Sequence, residues 1–418
     1  MPMKLLKISL LALTFLLVIV ALAAPGFIGP QVEQQWQQQF ARLQGMENTG
    51  YRRGWFGAAA ETRVSGREGD TRLRSEIQHG PVVFTSAGPR VGLLYSETRL
   101  AVEQLAPSLR GQLEKIYGRL DHSPAVLESL VGADNKVRNV LRLEPFSRSD
   151  NGGELTFGGA EIVLESDYAG TALAGTLEIG AVERRQFALD KFSSAVVSGK
   201  FHFVPGDSGQ LSLSLPQFRA DSDAGPLEVR DATLQLQARL LDNGNLSVHS
   251  DLQVPQVQSA TPVTSLQQQL TLPDISLADL GHFLHALLLV PAVERDWPEI
   301  MRRPLQLQQQ AAIQSANGPM LMDLEMDWLG MPAGMRPAKQ APGQWLQPMV
   351  GTMTFTSAEQ ALMQSPLVGQ AITLREYGLL LQNGEELQMH MEVNRGDLRV
   401  NGQQLPPDLF MLALAGGF

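Results

Sequence analysis

The chain has 418 residues, 44% apolar and 18% charged, with 33 basic and 43 acidic side chains and a formal charge of -10. That length exceeds one ordinary compact core, so two or more domains or one elongated sheet are expected, and the apolar content suffices to order most of the chain. The acidic balance speaks against nucleic acid as a partner, and the lack of cysteine excludes disulfides, thiolate metal sites, thiol nucleophiles and an acylated lipoprotein anchor.

From Ile8 to Ala24 the sequence reads ISLLALTFLLVIVALAA, 17 residues without a charge, preceded by Lys4 and Lys7. At ~1.5 Å per residue a helix of that length covers roughly 26 Å, and Leu5, Leu6, Phe27 and Ile28 extend it toward the ~30 Å hydrocarbon thickness. After Lys7 the next charge is Glu33. The positive-inside bias then keeps the N-terminus cytoplasmic and the bulk periplasmic, as in a single-pass protein of a bacterial inner membrane. Ala21, Ala23 and Ala24 also offer a signal-peptidase site. Pro25 directly after it disfavours cleavage and the apolar run is long for a signal core, so residues 1–30 are read as an uncleaved anchor in preference to a cleaved peptide.

Residues 31–48 follow as an amphipathic stalk helix, with Val32, Trp36, Phe40 and Leu43 on one face, and Gly45 and Gly50 bracket a turn. Residues 49–418 read as one elongated β-rich region without a clear internal boundary. Leu100, Leu105, Leu109, Leu113 and Tyr117 predict a second helical stretch from about Thr98 to Leu120, broken by Asp121 to Pro124.

From about Gly153 onward, alternation of period two dominates and predicts strands. Met320, Met322, Leu324, Met326 and Trp328 alternate with Asp323, Glu325 and Asp327. Ala232, Leu234, Leu236, Ala238 and Leu240 alternate with Thr233, Gln235, Gln237 and Arg239. Leu211, Leu213 and Leu215 alternate with serines, Val197, Phe201 and Phe203 share a side, and Leu387, Met389, Met391 and Val393 follow the same rule. Asp242-Asn243-Gly244 and Asn383-Gly384 read as hairpin turns. Ser276 and Asp279 resemble a capping box opening a helix with a stripe of Leu277, Leu280, Leu284, Leu287 and Leu288, ended by Pro291 and packed on the sheet. A short helix over Ser357 to Gln364 and an apolar tail, too short to span a bilayer and read as core or sheet-edge packing, complete the pattern. The fold class is therefore mainly β, a β-rich α+β chain. It is a large curved antiparallel sheet with one apolar and one wet face and a few packing helices, preceded by one N-terminal transmembrane helix. No fixed repeat period supports a solenoid.

Candidate chemistry is sparse. His282 and His285 lie three apart on the helix beginning at Ser276, a spacing that allows a shared metal, but both point away from the leucine stripe and only Asp279 is near as a third ligand, so a solvated polar face is preferred. Asp323, Glu325 and Asp327 share a strand face, which alternation alone explains. Asp242-Asn243-Gly244-Asn245 lacks the length and terminal glutamate of a calcium loop and is read as a hairpin. No phosphate-binding glycine loop, nucleophile elbow, zinc-protease motif or cofactor signature is present, so catalytic, metal and cofactor residues are assigned to none. Triads assembled from distant residues leave no local pattern, which keeps a serine or carboxylate enzyme open.

Two short segments carry a resemblance. Tyr51-Arg52-Arg53-Gly54-Trp55-Phe56 is followed at the distance of a strand pair by His79-Gly80-Pro81, and the chain closes with Val400-Asn401-Gly402-Gln403-Gln404-Leu405-Pro406. With the apolar start, this order resembles the YdgA-like family of bacterial envelope proteins. The resemblance implies an inner-membrane protein of unassigned function with its main domain in the periplasm, and names no reaction. It marks Tyr51, Arg53, Gly54, Trp55, Phe56, His79, Gly80 and Pro81 as positions of structural or functional weight. Physically, Trp55 and Phe56 are expected as a core anchor, Gly54 at a tight backbone approach, Arg53 paired with a carboxylate, and His79-Gly80-Pro81 at a strand end.

The leading functional reading is non-catalytic: an anchored envelope protein that handles lipid or another envelope component through an apolar sheet face, with Met320, Met322, Met326, Met389 and Met391 lining a groove. The alternatives are a periplasmic hydrolase acting on envelope material, through His79 or a carboxylate, and an oligomeric scaffold assembled through the stalk around Trp36 and Phe40. The bland reading of the methionine face is a closed core.

Overall fold

The computed structural model describes residues 25, 28–34, 36–37, 45–66, 69–150, 153–186, 191–222, 225–281, 302–331, 346–408 and 410. The apolar run 8–24, His282 and His285 lie outside the described residues. Among the described residues, no helix is long and apolar enough to cross a membrane. The chain forms two compact units, residues 1–187 with 196–205, and residues 188–195 with 206–418. Both are mainly β, and every strand pairing described is antiparallel.

In the first unit, β1 (Met46–Arg53), β2 (Gly57–Gly66) and β3 (Gly69–His79) pair in succession. A separate hairpin, β4 (Val82–Thr85) and β5 (Gly88–Val91), precedes β6 (Leu94–Leu100). After helix α1 (Pro107–Tyr117) the sheet resumes with β7 (Ala125–Val131) and β8 (Lys136–Leu143). It continues through β11 (Ala160–Asp167), β12 (Leu173–Ile179) and β15 (Val197–Val204). A side branch pairs β9 (Phe146–Asp150), β10 (Gly153–Phe157) and β13 (Val182–Gln186).

Two helical expectations change here. Thr98 to Leu100 belong to β6, where pairing with β3 and β7 on both sides overrides the helical spacing. Helix α1 begins at Pro107, whose ring forces Ala106 into an extended conformation (ψ 136°) and so sets the boundary. The stalk also ends earlier than expected: residues 28–34 and 36–37 are helical, whereas Met46 to Asn48 already pair with Thr62 to Val64. Gly45 makes the turn with φ +79°, and Gly50 lies inside β1 beside an irregularity in register.

The second unit orders its strands as β14 (Lys191–Ser194), β16 (Ser208–Ser222), β17 (Gly225–Leu240), β18 (Leu246–Val254), β20 (Val263–Ile275), β21 (Leu305–Ser315), β22 (Gly318–Trp328) and β23 (Met349–Ala358). Next come β25 (Glu386–Asn394), β26 (Asp397–Val400) and β27 (Gln403–Leu405). The short β19 (Gln256–Ser259) lies along β17 and β24 (Leu381–Asn383) along β25. The alternation read in the sequence reappears as register. One row runs Leu213, Leu234, Leu252, Gln268, Ala311, Met322, Phe355, Met389 across eight neighbouring strands. The row on the opposite face runs Gln235, Asp251, Gln269, Gln310, Asp323, Thr354, His390.

Local signals held as well. Asp242 to Gly244 turn β17 into β18, with Asn243 and Asn245 side-chain amides donating to Asp274 at 3.0 and 2.6 Å, as in a hairpin. The Asp279 amide donates to Ser276 Oγ at 3.1 Å, the expected cap. Leu277, expected on the packed stripe, is instead 71% exposed. Phe410 of the tail is buried in the core beneath α2 (Glu359–Met363) and α3 (Val368–Glu376).

Candidate functional site

The motif residues gather at one end of the first unit because β1 and β3 both finish there, flanking β2. Tyr51 pairs with Ala60 and Arg53 with Ala58, while Ile77 pairs with Ala58 and Ser96. This face is built from small side chains, among them Ala60, Thr62, Ser75 and Ser96, all buried. Small residues let the helical residues after Ile28 approach closely. Val32 joins Ala60 and Ile77 in a buried cluster, with Ile28, Trp36, Tyr51 and Leu94 packed against it.

The contacts are specific. Arg53 Nη1 donates to Glu33 Oε2 at 3.0 Å, the carboxylate partner expected for that arginine. A Cβ on Gly29 would meet His79 Cε1 and Nδ1, both at 3.0 Å, so glycine is what allows the chain to lie against the imidazole. His79 is 2% exposed and closes β3, its amide donating to the Phe56 carbonyl at 2.9 Å. Neither ring nitrogen has a partner of good hydrogen-bond geometry. Burial lowers the His79 pKa; the nearby Trp55 backbone opposes the shift in part, and the Arg53 charge adds to it. Burial, helped by Glu33, pushes Tyr51 up to about 12. The imidazole is thus held neutral beside an arginine–glutamate pair and a protonated phenol.

Gly54 and Gly80 show why glycine stands in each motif. The Gly54 amide donates to the Gly57 carbonyl at 2.7 Å, closing the β1–β2 turn, and a Cβ on Gly54 would crowd that same oxygen at 3.2 Å. A Cβ on Gly80 would collide with the Gly92 carbonyl oxygen, where the chain entering β6 crosses the His-Gly-Pro segment. The Gly80–Pro81 peptide is cis.

Trp55 and Phe56 are not the core anchor expected of them. They sit in the β1–β2 turn and are 58% and 56% exposed. The anchoring is done by the residues before and after, because a two-strand turn this tight leaves its central side chains beyond the sheet edge.

The sequence reading missed the β4–β5 hairpin and its clasp. Phe84 exchanges two bonds with the Gln78 side chain, at 2.7 and 2.9 Å. Ser86 Oγ donates to Glu128 Oε2 at 3.0 Å, and Arg142 Nη1 to Glu128 Oε1 at 2.5 Å. Beneath the hairpin, burial and the Glu128 charge raise Tyr95 to about 12. The β-branched and aromatic run VVFT and the glycine in SAGP carried a short-hairpin signal. Gly29 and Glu33 were hidden differently, since only the fold brings them to the motif.

The methionines divide. Met320, Met389 and Met391 are buried in a packed core with Leu362, Leu374, Leu387 and Leu398, so that end of the apolar face is closed. Met322 and Met326 are half-buried further along β22. Leu213, Leu234, Leu236, Leu252 and Leu270 on the preceding strands are also half-buried, and Gln268 and Gln309 lie among them. On the opposite face Asp251, Gln269, Gln310 and Asp323 line a shallow depression of ≈ 230 Å³. Glu325 and Asp327 lie exposed on that polar side of β22. Among the described residues, no group of three or more His, Asp or Glu is placed to hold a metal ion.

Residues 3–314 match the family described as bacterial protein of unknown function (DUF945). The chain belongs to this family. The match includes the Tyr51–Phe56 and His79–Pro81 segments and stops short of the closing Val400–Pro406 stretch. No curated protein and no solved structure matches the chain.

Proposed function

We propose that this DUF945 protein is a non-catalytic envelope protein, anchored in a bacterial inner membrane by residues 8–24, that holds acyl chains along the apolar face of its second unit. The narrower YdgA-like resemblance and a periplasmic location belong to the same proposal. One observation carries it: a mainly apolar face in register over eight strands, which among the described residues is capped by α2 and α3 toward β23 and is half-exposed from β16 to β22. Gln268 and Gln309 support an accessible face, since an amide sealed in a dry core costs roughly 2–7 kcal/mol unless it is hydrogen-bonded.

The hydrolase alternative finds less support. A catalytic imidazole must meet its substrate, and His79 is 2% exposed with Gly29 against its ring.

Native mass spectrometry of the detergent-purified full chain tests the proposal. Bound phospholipid or fatty acid is expected, and it should be lost on combining Leu252→Gln with Leu270→Gln while the circular dichroism stays that of the wild type. A wild-type chain that carries no lipid and binds no fluorescent fatty acid overturns it.

A further inference from the structure

The end of the first unit that holds the motif also carries its most exposed large apolar side chains. In the β4–β5 hairpin Val82 pairs with Val91 and Phe84 with Pro89, so these four share one face. Val83, on the other face, is fully buried. The shared face therefore points outward, with Val82 46%, Phe84 66% and Val91 72% exposed. Trp55 and Phe56 in the β1–β2 turn and Leu93 at the entry to β6, itself 44% exposed, extend the patch. Their proximity is fixed by hydrogen bonds: the Phe56 carbonyl accepts from the His79 amide, the Leu93 carbonyl from the Gly80 amide, and the Phe84 backbone is held by the Gln78 side chain. A hairpin with one wholly apolar outward face is poor design for a surface that meets only water.

The position of the N-terminal segment indicates the occupant. Gly29 lies against His79 and Arg53, the last residues of β3 and β1. Only four residues, Pro25 to Ile28, separate it from Ala24, the end of the apolar run, which makes five steps along the chain. Five extended residues reach at most about 18 Å. If residues 8–24 span the bilayer, Gly29, and with it the ends of β1 and β3 that it touches, is held within that distance of the point where the chain leaves it. Tryptophan favours the headgroup layer, and phenylalanine and valine gain by burial at its acyl boundary. Arg52, three residues before Trp55, and Arg90, which shares the Val83 face of the hairpin, are exposed at the margins of this end and offer charge to lipid phosphates, although the chain as a whole carries net negative charge.

We infer that this end of the first unit, led by Trp55, Phe56, Phe84 and Val91, beds into the outer interface of the membrane that anchors the chain, so that the sheet stands on the bilayer rather than swinging from a tether. The inference rests on the anchored reading proposed above.

The lack of cysteine allows one introduced thiol to report one position. Val91→Cys on the patch and Asp70→Cys at the opposite end of β3 are each labelled with an environment-sensitive fluorophore in the full chain. The proteins are reconstituted in vesicles of phosphatidylcholine with a minor fraction of phosphatidylglycerol. The Val91→Cys label should be blue-shifted and quenched several-fold more by nitroxide lipid than the Asp70→Cys label, and the difference should fall when Phe84→Asp is added. If the protein withstands alkaline washing of the vesicles but both labels report water, the docking inference is wrong and the anchor stands. A Val91→Cys label shielded from aqueous iodide yet untouched by nitroxide lipid means that another protein or a second copy covers the patch, which also overturns it. Release of the protein by the alkaline wash removes the anchor and the inference together.

Discussion

Replacing His79 by glutamine should make the first unit less sensitive to acid. The imidazole is 2% exposed, has no well-formed acceptor or donor at either nitrogen, and faces the Arg53 charge, with Tyr51 and Glu33 the other ionisable groups nearby. Burial and Arg53 both disfavour the imidazolium, so the folded pKa lies below the ordinary 6.5. The unfolded chain then binds the extra proton first. Stability contributed by neutral His79 is complete above about pH 6.5 and falls as pH drops toward the folded value, by up to about 1.4 kcal/mol for each pH unit in that window. Glutamine keeps the polar bulk without titrating. Amide hydrogen exchange of β2 and β3, followed from pH 7.5 to 5.5 and corrected for intrinsic rates, reads the opening free energy of this region directly. The wild type should lose protection on acidification and His79→Gln should lose much less. Equal loss in both proteins would show that another group carries the acid response and that the buried-neutral account of His79 is mistaken.

Other perturbations test separate parts of the molecule. Leu387→Ala or Leu398→Ala, at positions with no exposed surface, should cost about 2–5 kcal/mol in denaturant titrations of the second unit, whereas Leu321→Ala, 43% exposed on the same sheet, should stay within about 0.5 kcal/mol. Gly80→Ala forces the chain off the Gly92 carbonyl and should release the β4–β5 hairpin to limited proteolysis near Ser86 while the second unit keeps its resistance. Glu128→Ala leaves Arg142 and Ser86 without their shared acceptor. A loss of about 1–3 kcal/mol is expected in thermal or denaturant unfolding of the first unit. Ser276→Ala should cost about 0.5–2 kcal/mol and show as faster amide exchange at Asp279 and Leu280.

Much of the fold was legible because its dominant signal is local. A strand with one covered face must alternate, and Met320 to Trp328, Ala232 to Leu240 and Leu387 to Val393 do so in the chain and in the pairing register alike. The cap at Ser276 and the turn at Asp242 to Gly244 are equally local. Thr98 to Leu100 misled because their leucine spacing fits a helix, while the hydrogen bonds that make them a strand come from residues in β3 and β7.

The motif shows where local reasoning stops. Its glycines and the strand end at His79 could be expected from backbone geometry, and Arg53 did find a carboxylate. That the carboxylate is Glu33, and that Gly29 lies against the imidazole, depends on a helical segment folding back onto a sheet face of small residues, a choice made by packing between distant parts of the chain. The exposure of Trp55 and Phe56 was decided in the same way, by the tightness of a turn and by which neighbours reach it. Sequence alone therefore determined the strands, their two chemically distinct faces and the apolar start. Tertiary structure decided which faces are covered and which apolar side chains are left exposed, because alternation specifies two sides of a sheet but not what lies against either.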